Sequence, residues 1–487
     1  MGKRADLIRG SHRPVQEVHI SPLPLMRFHE LLEEGDFQSL VESVRDTDKA
    51  LKGRVIWNVN STATGGGVAE VLHTLLGYTR GAGVDARWMV MTAKPDFFQV
   101  TKRLHNMIQG EPGDEGALDA EAREVYESTI EVNAQMLEAA IQPKDVVILY
   151  DPQAAGLVPA LKKRGAVVVW DCHIGTDTPN ELSRQGWEFL LPYVRGADAY
   201  VFSCRQFIPE GLDASRVEII PPSIDAFSPK NQGMDPVVVQ GVLYHIGLVG
   251  NAMPRGGFPI FRREDESPAR VDHRAEIVRY GPAPDFGVPL VVQVSRWDRL
   301  KDPLGVLQGF AEHVAPQSDA HLVLAGPAVQ SVSDDPEGAR SLADTVRLWR
   351  TLPDGVRARV QLACLPMLDI DENAAIVNAL QRYASVLVQK SLHEGFWLTV
   401  TEAMWKAKPV VASAVAGVMD QIQDGTNGML LKDPSDLGAF GAAVLKPLKD
   451  PALAARLGEE AQKTVRRSFL NNRHLIQYFK LLKRLLT

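Results

Sequence analysis

Ser385-Val-Leu-Val-Gln389, then Ser391-Leu-His-Glu-Gly-Phe-Trp-Leu-Thr-Val-Thr-Glu402, then Pro409-Val-Val-Ala412 read as strand, short loop, helix, strand. The loop opens a helix near Leu398, so unpaired backbone N–H groups and the positive dipole end face whatever binds above the sheet. Glu394 falls in the loop and Glu402 about one turn into the helix. Helical side chains lean toward the N-terminus, so the two carboxylates are expected to converge on one crevice. Such a crevice suits a ligand with an anionic centre and several hydroxyls. Alone, two glutamates at this spacing are more often solvated charges; the flanking strands set this pair apart.

The same rhythm extends in both directions. Upstream come Arg54–Val59, Arg87–Met91, Asp145–Tyr150, Ala166–Trp170, Ala199–Phe202 and Val217–Ile220, each separated from the next by a helical stretch. A second series starts at Pro289–Val294 and continues through His321–Ala325, Arg359–Ala363 and the opening stretch to Gly428–Leu431. Continuous apolar strands alternating with helices predict parallel sheets covered on both faces. The expected fold class is α/β, with two doubly wound Rossmann-like domains facing across a cleft. The expected divisions are an N-terminal extension over 1–50, a first domain over 51–227, a linker or insertion over 228–285, a second domain over 286–465 and a final helix over 466–487. Residues 1–50 are expected to hold two short helices, around Met26–Leu32 and Phe37–Val44. The apolar run Val237–Leu243 finds no place in this scheme.

At 487 residues the chain exceeds one hydrophobic core, and a formal charge of −7 with no long basic run argues against nucleic-acid binding. Three widely spaced cysteines, Cys172, Cys204 and Cys364, give neither a metal pattern nor a disulfide framework. The basic start leads into no apolar signal core, and no run approaches a membrane span. These features predict a cytoplasmic chain with no membrane partner.

Ligands of open parallel sheets sit at the carboxyl ends of the strands, so residues just after each strand are the candidates. Gly65-Gly66-Gly67 follows the first strand and opens a helix, where glycines admit a ligand to the backbone. The pattern is not a dinucleotide fingerprint, since Glu70 stands at its third glycine position. Arg296 and Lys301 follow the first strand of the second series, just before Pro303 opens a helix. Two cations beside a helix start make a diphosphate clamp, the arginine bidentate and the lysine a point charge. Asp151, Gln153, His173 and Asp177 follow other strands. Asp369 and Asp371 form an Asp-x-Asp, read as a polar loop rather than a metal site. No metal and no cofactor is expected.

Together these strings resemble retaining family 4 glycosyltransferases of GT-B fold, and most nearly the trehalose glycosyltransferring synthases and the related phosphorylases. Supporting strings are Asn58-Val-Asn-Ser-Thr-Ala-x-Gly-Gly-Gly-Val-Ala-Glu70, Trp170-x-Cys-His-Ile174, Pro221-Pro-Ser-Ile-Asp225 with Ser228-Pro-Lys-Asn231, and Gln293-Val-Ser-Arg-Trp-Asp-Arg-Leu-Lys-Asp-Pro-Leu-Gly305. Asp334-Asp-Pro-Glu-Gly338 adds to them. The resemblance implies that Arg296 and Lys301 bind the donor's phosphates, Glu402 the ribose hydroxyls and Glu394 the donor sugar. Backbone groups of Gly395, Phe396 and Trp397 would hold sugar and phosphate, and those near Leu365 would meet the base. His173 would contact the reacting glucosyl unit, while Gly65, Gly66 and Gly67 would meet phosphate or acceptor, with Asp151 and Gln153 beside them. It also implies transfer without a metal, a nucleotide sugar and a sugar acceptor as substrates, and a homodimer. Trp397 stands where the family has a small residue, and Ala416-Gly417-Val418-Met419 replaces a Gly-Gly-Ile-Pro-like loop.

Four readings stay open on the sequence: a glucosyltransferase forming trehalose, a trehalose phosphorylase, a sugar-nucleotide epimerase, and a non-catalytic sugar-nucleotide sensor. An adenine and a uracil donor are equally compatible, and the acceptor's identity is open with them.

Overall fold

The computed structural model describes residues 16–63, 66–328, 336–392 and 398–487. Gly65, Glu394, Gly395, Phe396 and Trp397 lie outside the described residues. Two compact units form, one running to Ser223 and taking in Asn471–Thr487, the other Ile224–Leu470.

The first unit is built on seven strands: β1 (Gln16–Val18), β2 (Ile56–Asn60), β3 (Ala86–Val90), β4 (Val146–Tyr150), β5 (Val167–Cys172), β6 (Ala199–Phe202) and β7 (Val217–Ile219). Their order is β1-β3-β2-β4-β5-β6-β7, parallel except for β1, which pairs antiparallel with β3. Every residue of β2, β4 and β6 is buried, as continuous apolar runs require. The strand order reverses between β2 and β4, the point at whose carboxyl ends open parallel sheets bind their ligands. The segment before β2 packs as part of this unit. It supplies β1, a short 3₁₀ turn at Leu25–Glu30 and the helix Glu34–Leu51, longer than the expected Phe37–Val44. That helix packs on the last helix of the chain, Asn471–Leu486, with Lys483 paired to Asp46 at 2.7 Å.

The second unit has β8 (Ile260–Arg262) and β9 (Pro268–Arg270) as a hairpin, then β10 (Glu276–Val278), β11 (Leu290–Val294), β12 (His321–Pro327), β13 (Val360–Leu365), β14 (Val386–Gln389), β15 (Val410–Ser413) and β16 (Met429–Leu431). The sheet order β10-β13-β12-β11-β14-β15-β16 reverses between β11 and β14. Its core clusters around Val291, Val306, Phe310, Leu322, Val388 and Phe440.

Residues 228–285, read as a linker or insertion, are built into this unit. Val237–Leu243 lies in the helix Pro236–His245, capped by the Asp235 carboxylate on the Val237 N–H, with Pro236 at its first turn. A valine run reads as a strand by propensity, but this one has a cap and packs on the helix Ile370–Tyr383. β10 adds an antiparallel edge strand to β13. Nor is Asp369-x-Asp371 a solvated loop: Asp369 caps that helix, accepting from the N–H groups of Asp371 and Glu372, and binds Arg263 at 3.0 Å. The last helix begins at Asn471 rather than 466. No helix among the described residues is long and apolar enough to cross a membrane.

Candidate active site

In the first unit the candidates gather at the carboxyl ends of β2, β4 and β5. Gly66 precedes the helix Gly67–Gly81 with φ of 88°, a left-handed conformation that glycine adopts without strain. Asp151 does so as a non-glycine, at φ 58°, which costs backbone energy and must be held by its surroundings. Two bonds hold it. Its carbonyl accepts from the Trp170 indole at 3.1 Å, and its Oδ1 accepts from the His173 N–H at 2.8 Å. Burial pushes the Asp151 carboxyl up, against the opposing pull of His173. Gln153 is half-buried in the same short helix, Asp151–Ala155.

His173 is fixed at three atoms. Beside the N–H just described, Nδ1 lies 2.9 Å from Ser203 Oγ and Nε2 3.5 Å from Asp171 Oδ1. The ring stacks parallel to Tyr150. Burial alone would depress the imidazole, but the Asp171 and Asp151 carboxylates outweigh it and bring it to about 9. The two carboxylates thus favour the charged form of His173.

In the second unit the loop after β11 carries Arg296 and Lys301. The Arg296 side chain is 64% exposed and meets Asp298 at 3.3 Å. Lys301 ends the 3₁₀ turn Arg299–Lys301, its carbonyl held by Gln293 Nε2 at 2.8 Å. Burial pushes its ammonium down to about 7, helped by the Arg296 charge and opposed by Asp298. Asp302 follows in the left-handed region at φ 49°, caps the helix Pro303–Gly309 through the Gly305 N–H at 2.9 Å, and accepts from Lys390. Lys390, one residue past β14, is fully buried. The loop is thus tied to the neighbouring strand, and the Leu392 N–H adds a bond to the Leu300 carbonyl at 2.8 Å.

Glu402 sits in the helix Leu398–Trp405 and is only 1% exposed. Its carboxylate meets Lys230 at 3.3 Å and accepts from Gln381 at 3.4 Å. The Leu365 carbonyl is taken by the Ala328 N–H at 2.8 Å. Asp171, Lys230, Asp302 and Lys390 were not among the residues singled out by the sequence. The signal for the first two was present, since Asp171 is the unread position of Trp170-x-Cys-His and Lys230 lies within Ser228-Pro-Lys-Asn231.

This arrangement offers cations beside a helix start at the strand-order reversal of the second unit, and in the first unit a histidine held between two carboxylates at the end of β5. Residues 58–209 match the family model described as trehalose synthase, N-terminal domain, and residues 368–464 the one for group 1 glycosyl transferases. The trehalose synthase of Rubrobacter xylanophilus is 34% identical over 465 residues, 93% of this chain and 97% of that one. The chain belongs to the trehalose synthase family. As a trehalose synthase family member it is a glycosyltransferase. A trehalose phosphorylase of Pleurotus sajor-caju is more distant, 26% identical over 83% of this chain but 54% of its own length. The sucrose-phosphate synthase of Thermosynechococcus elongatus, 17% identical, superposes with a TM-score of 0.60 over 89% of this chain and 99% of that one, which shows the GT-B fold.

Proposed function

We propose that the chain moves glucose from a nucleoside diphosphate glucose to free glucose, forming trehalose with retention at the anomeric carbon. The observation that carries this reading is the end-to-end match to a trehalose synthase, spanning nearly the whole of both chains. Arg296 and Lys301 are the groups for the donor's phosphates, and the dipole of the following helix adds to them. Glu402 is the ribose grip, shared with Lys230, and Glu394 holds the donor sugar. Charge neutralisation by these groups makes a metal unnecessary. Retention needs no protein nucleophile when the leaving phosphate itself takes the acceptor's proton, so the two glutamates bind hydroxyls rather than forming the acid and nucleophile pair of retaining hydrolases. Thermal-shift titrations with ADP-glucose, UDP-glucose and glucose 1-phosphate test the donor class. Stabilisation by one of the first two is expected, and a response to glucose 1-phosphate alone would move the assignment to a phosphorylase.

Lys301 gives this binding a pH dependence. A diphosphate beside the ammonium raises its pKa from about 7, so binding takes up a proton above that pH. Donor affinity is expected to be flat below pH 7 and to weaken by up to about tenfold per pH unit above it. Calorimetry at pH 8 in buffers of different ionisation enthalpy reads the uptake, and zero uptake contradicts the contact.

Cytoplasmic residence is supported by three buried cysteines, all free thiols. A homodimer is expected on family resemblance, and sedimentation reads it.

A further inference from the structure

Asp171, at 1% exposure, is a buried carboxylate whose cost must be offset by partners. Two side chains do this. His173 Nε2 lies 3.5 Å from Oδ1, and among the described residues no other side chain is hydrogen-bonded to that oxygen. Tyr478, on the helix Asn471–Leu486 and 307 positions later in the chain, donates its hydroxyl to Oδ2. A helix returning merely to cover the sheet needs an apolar face there, and phenylalanine would fill the same space. The phenolic oxygen is an addition that meets Asp171, with the Tyr150 hydroxyl beside it.

We propose that Tyr478 and Asp171 are positioning residues for His173: the tyrosine hydroxyl fixes the rotation of the Asp171 carboxylate, and the carboxylate orients the imidazole through Nε2. Ser203 at Nδ1 and Asp151 at the backbone N–H complete the frame. The titratable groups facing His173 are Asp171 from its own strand, Asp151 and Tyr150 from the end of β4, and His474 and Tyr478 from the last helix. Burial, then the charges of Arg473 and His173, hold His474 well below its ordinary value, so it adds no charge at neutral pH. The last helix therefore fixes the carboxylate against which the imidazole is oriented.

The inference rests on His173 facing the reacting glucosyl unit, and the experiment separates the two. Full-length Tyr478→Phe, Asp171→Asn, His173→Gln and the Tyr478→Phe/His173→Gln double variant are assayed with glucose and whichever of ADP-glucose and UDP-glucose the wild type uses. Tyr478→Phe is expected to lower kcat about tenfold while donor KM stays within about twofold, the mark of a lost orientation rather than lost binding. The same substitution in the His173→Gln background is expected to change nothing, since the group being positioned is gone. An equal fold-loss in both backgrounds, or a lower Tm with unchanged kcat, overturns the inference and leaves Tyr478 a packing residue. Full activity in His173→Gln instead overturns the site reading. Imidazole NMR gives a readout independent of turnover: His173 titrating near 9 in the wild type and below neutrality in Asp171→Asn supports the relay, and an unmoved titration refutes it.

Discussion

Lys301→Ala is expected to lower turnover about 100- to 1,000-fold, with Tm unchanged or slightly raised. Charge develops on the leaving diphosphate, so a preplaced cation acts most strongly in the transition state. Lys301 is the stronger of the two clamp residues because it is half-buried with its backbone pinned by Gln293. Arg296, 64% exposed beside Asp298, is screened by water and salt, and its alanine variant is expected to lose less. Tm should not fall, because an ammonium pushed down by burial is a folding cost that alanine removes. Wild-type kcat in Lys301→Ala contradicts the phosphate assignment.

Lys390→Met should cost the second unit about 3–5 kcal/mol, among the largest single-residue effects in the chain. Lys390 is fully buried and its partner Asp302 is 16% exposed, so methionine fills the volume but strands a carboxylate. Asp302 holds a left-handed backbone and the cap of Pro303–Gly309, so the Arg296–Lys301 loop would shift with it. The crowding is tight, since a Cβ on Gly305 would stand 2.2 Å from Asp302 Oδ2 and 2.6 Å from Lys390 Nζ. Adding Asp302→Asn to Lys390→Met should recover part of the loss by removing the stranded charge. Urea unfolding reads both, and a single-variant loss below about 1 kcal/mol would show that the pair is not structural.

The parallel strands were legible because burial on both faces leaves a continuous apolar run, and all twelve begin and end within two residues of their reading. The antiparallel edges β1 and β10 were not, being only three residues long, too short to show a pattern. Val237–Leu243 found no place because its valines suit a strand outside the strand rhythm, and only Asp235 and Pro236 before it signal a helix. Candidate residues after strands were legible by the same rule that placed the strands. Their partners were not: Lys390 looks like the polar end of a strand, Asp171 like a strand residue, and Tyr478 like part of a basic helical tail. Each acts through a contact far away in sequence, which no local pattern encodes. Glu394 and Trp397 rest on the sequence alone.

The most direct test of the proposed activity is product analysis by ¹³C NMR. The chain is incubated with glucose and nucleoside diphosphate glucose labelled at the anomeric carbon. The expected product is α,α-linked trehalose, labelled in one ring and matched mole for mole by released nucleoside diphosphate. Labelled free glucose with no disaccharide, or trehalose formed only when glucose 1-phosphate is supplied, would contradict it.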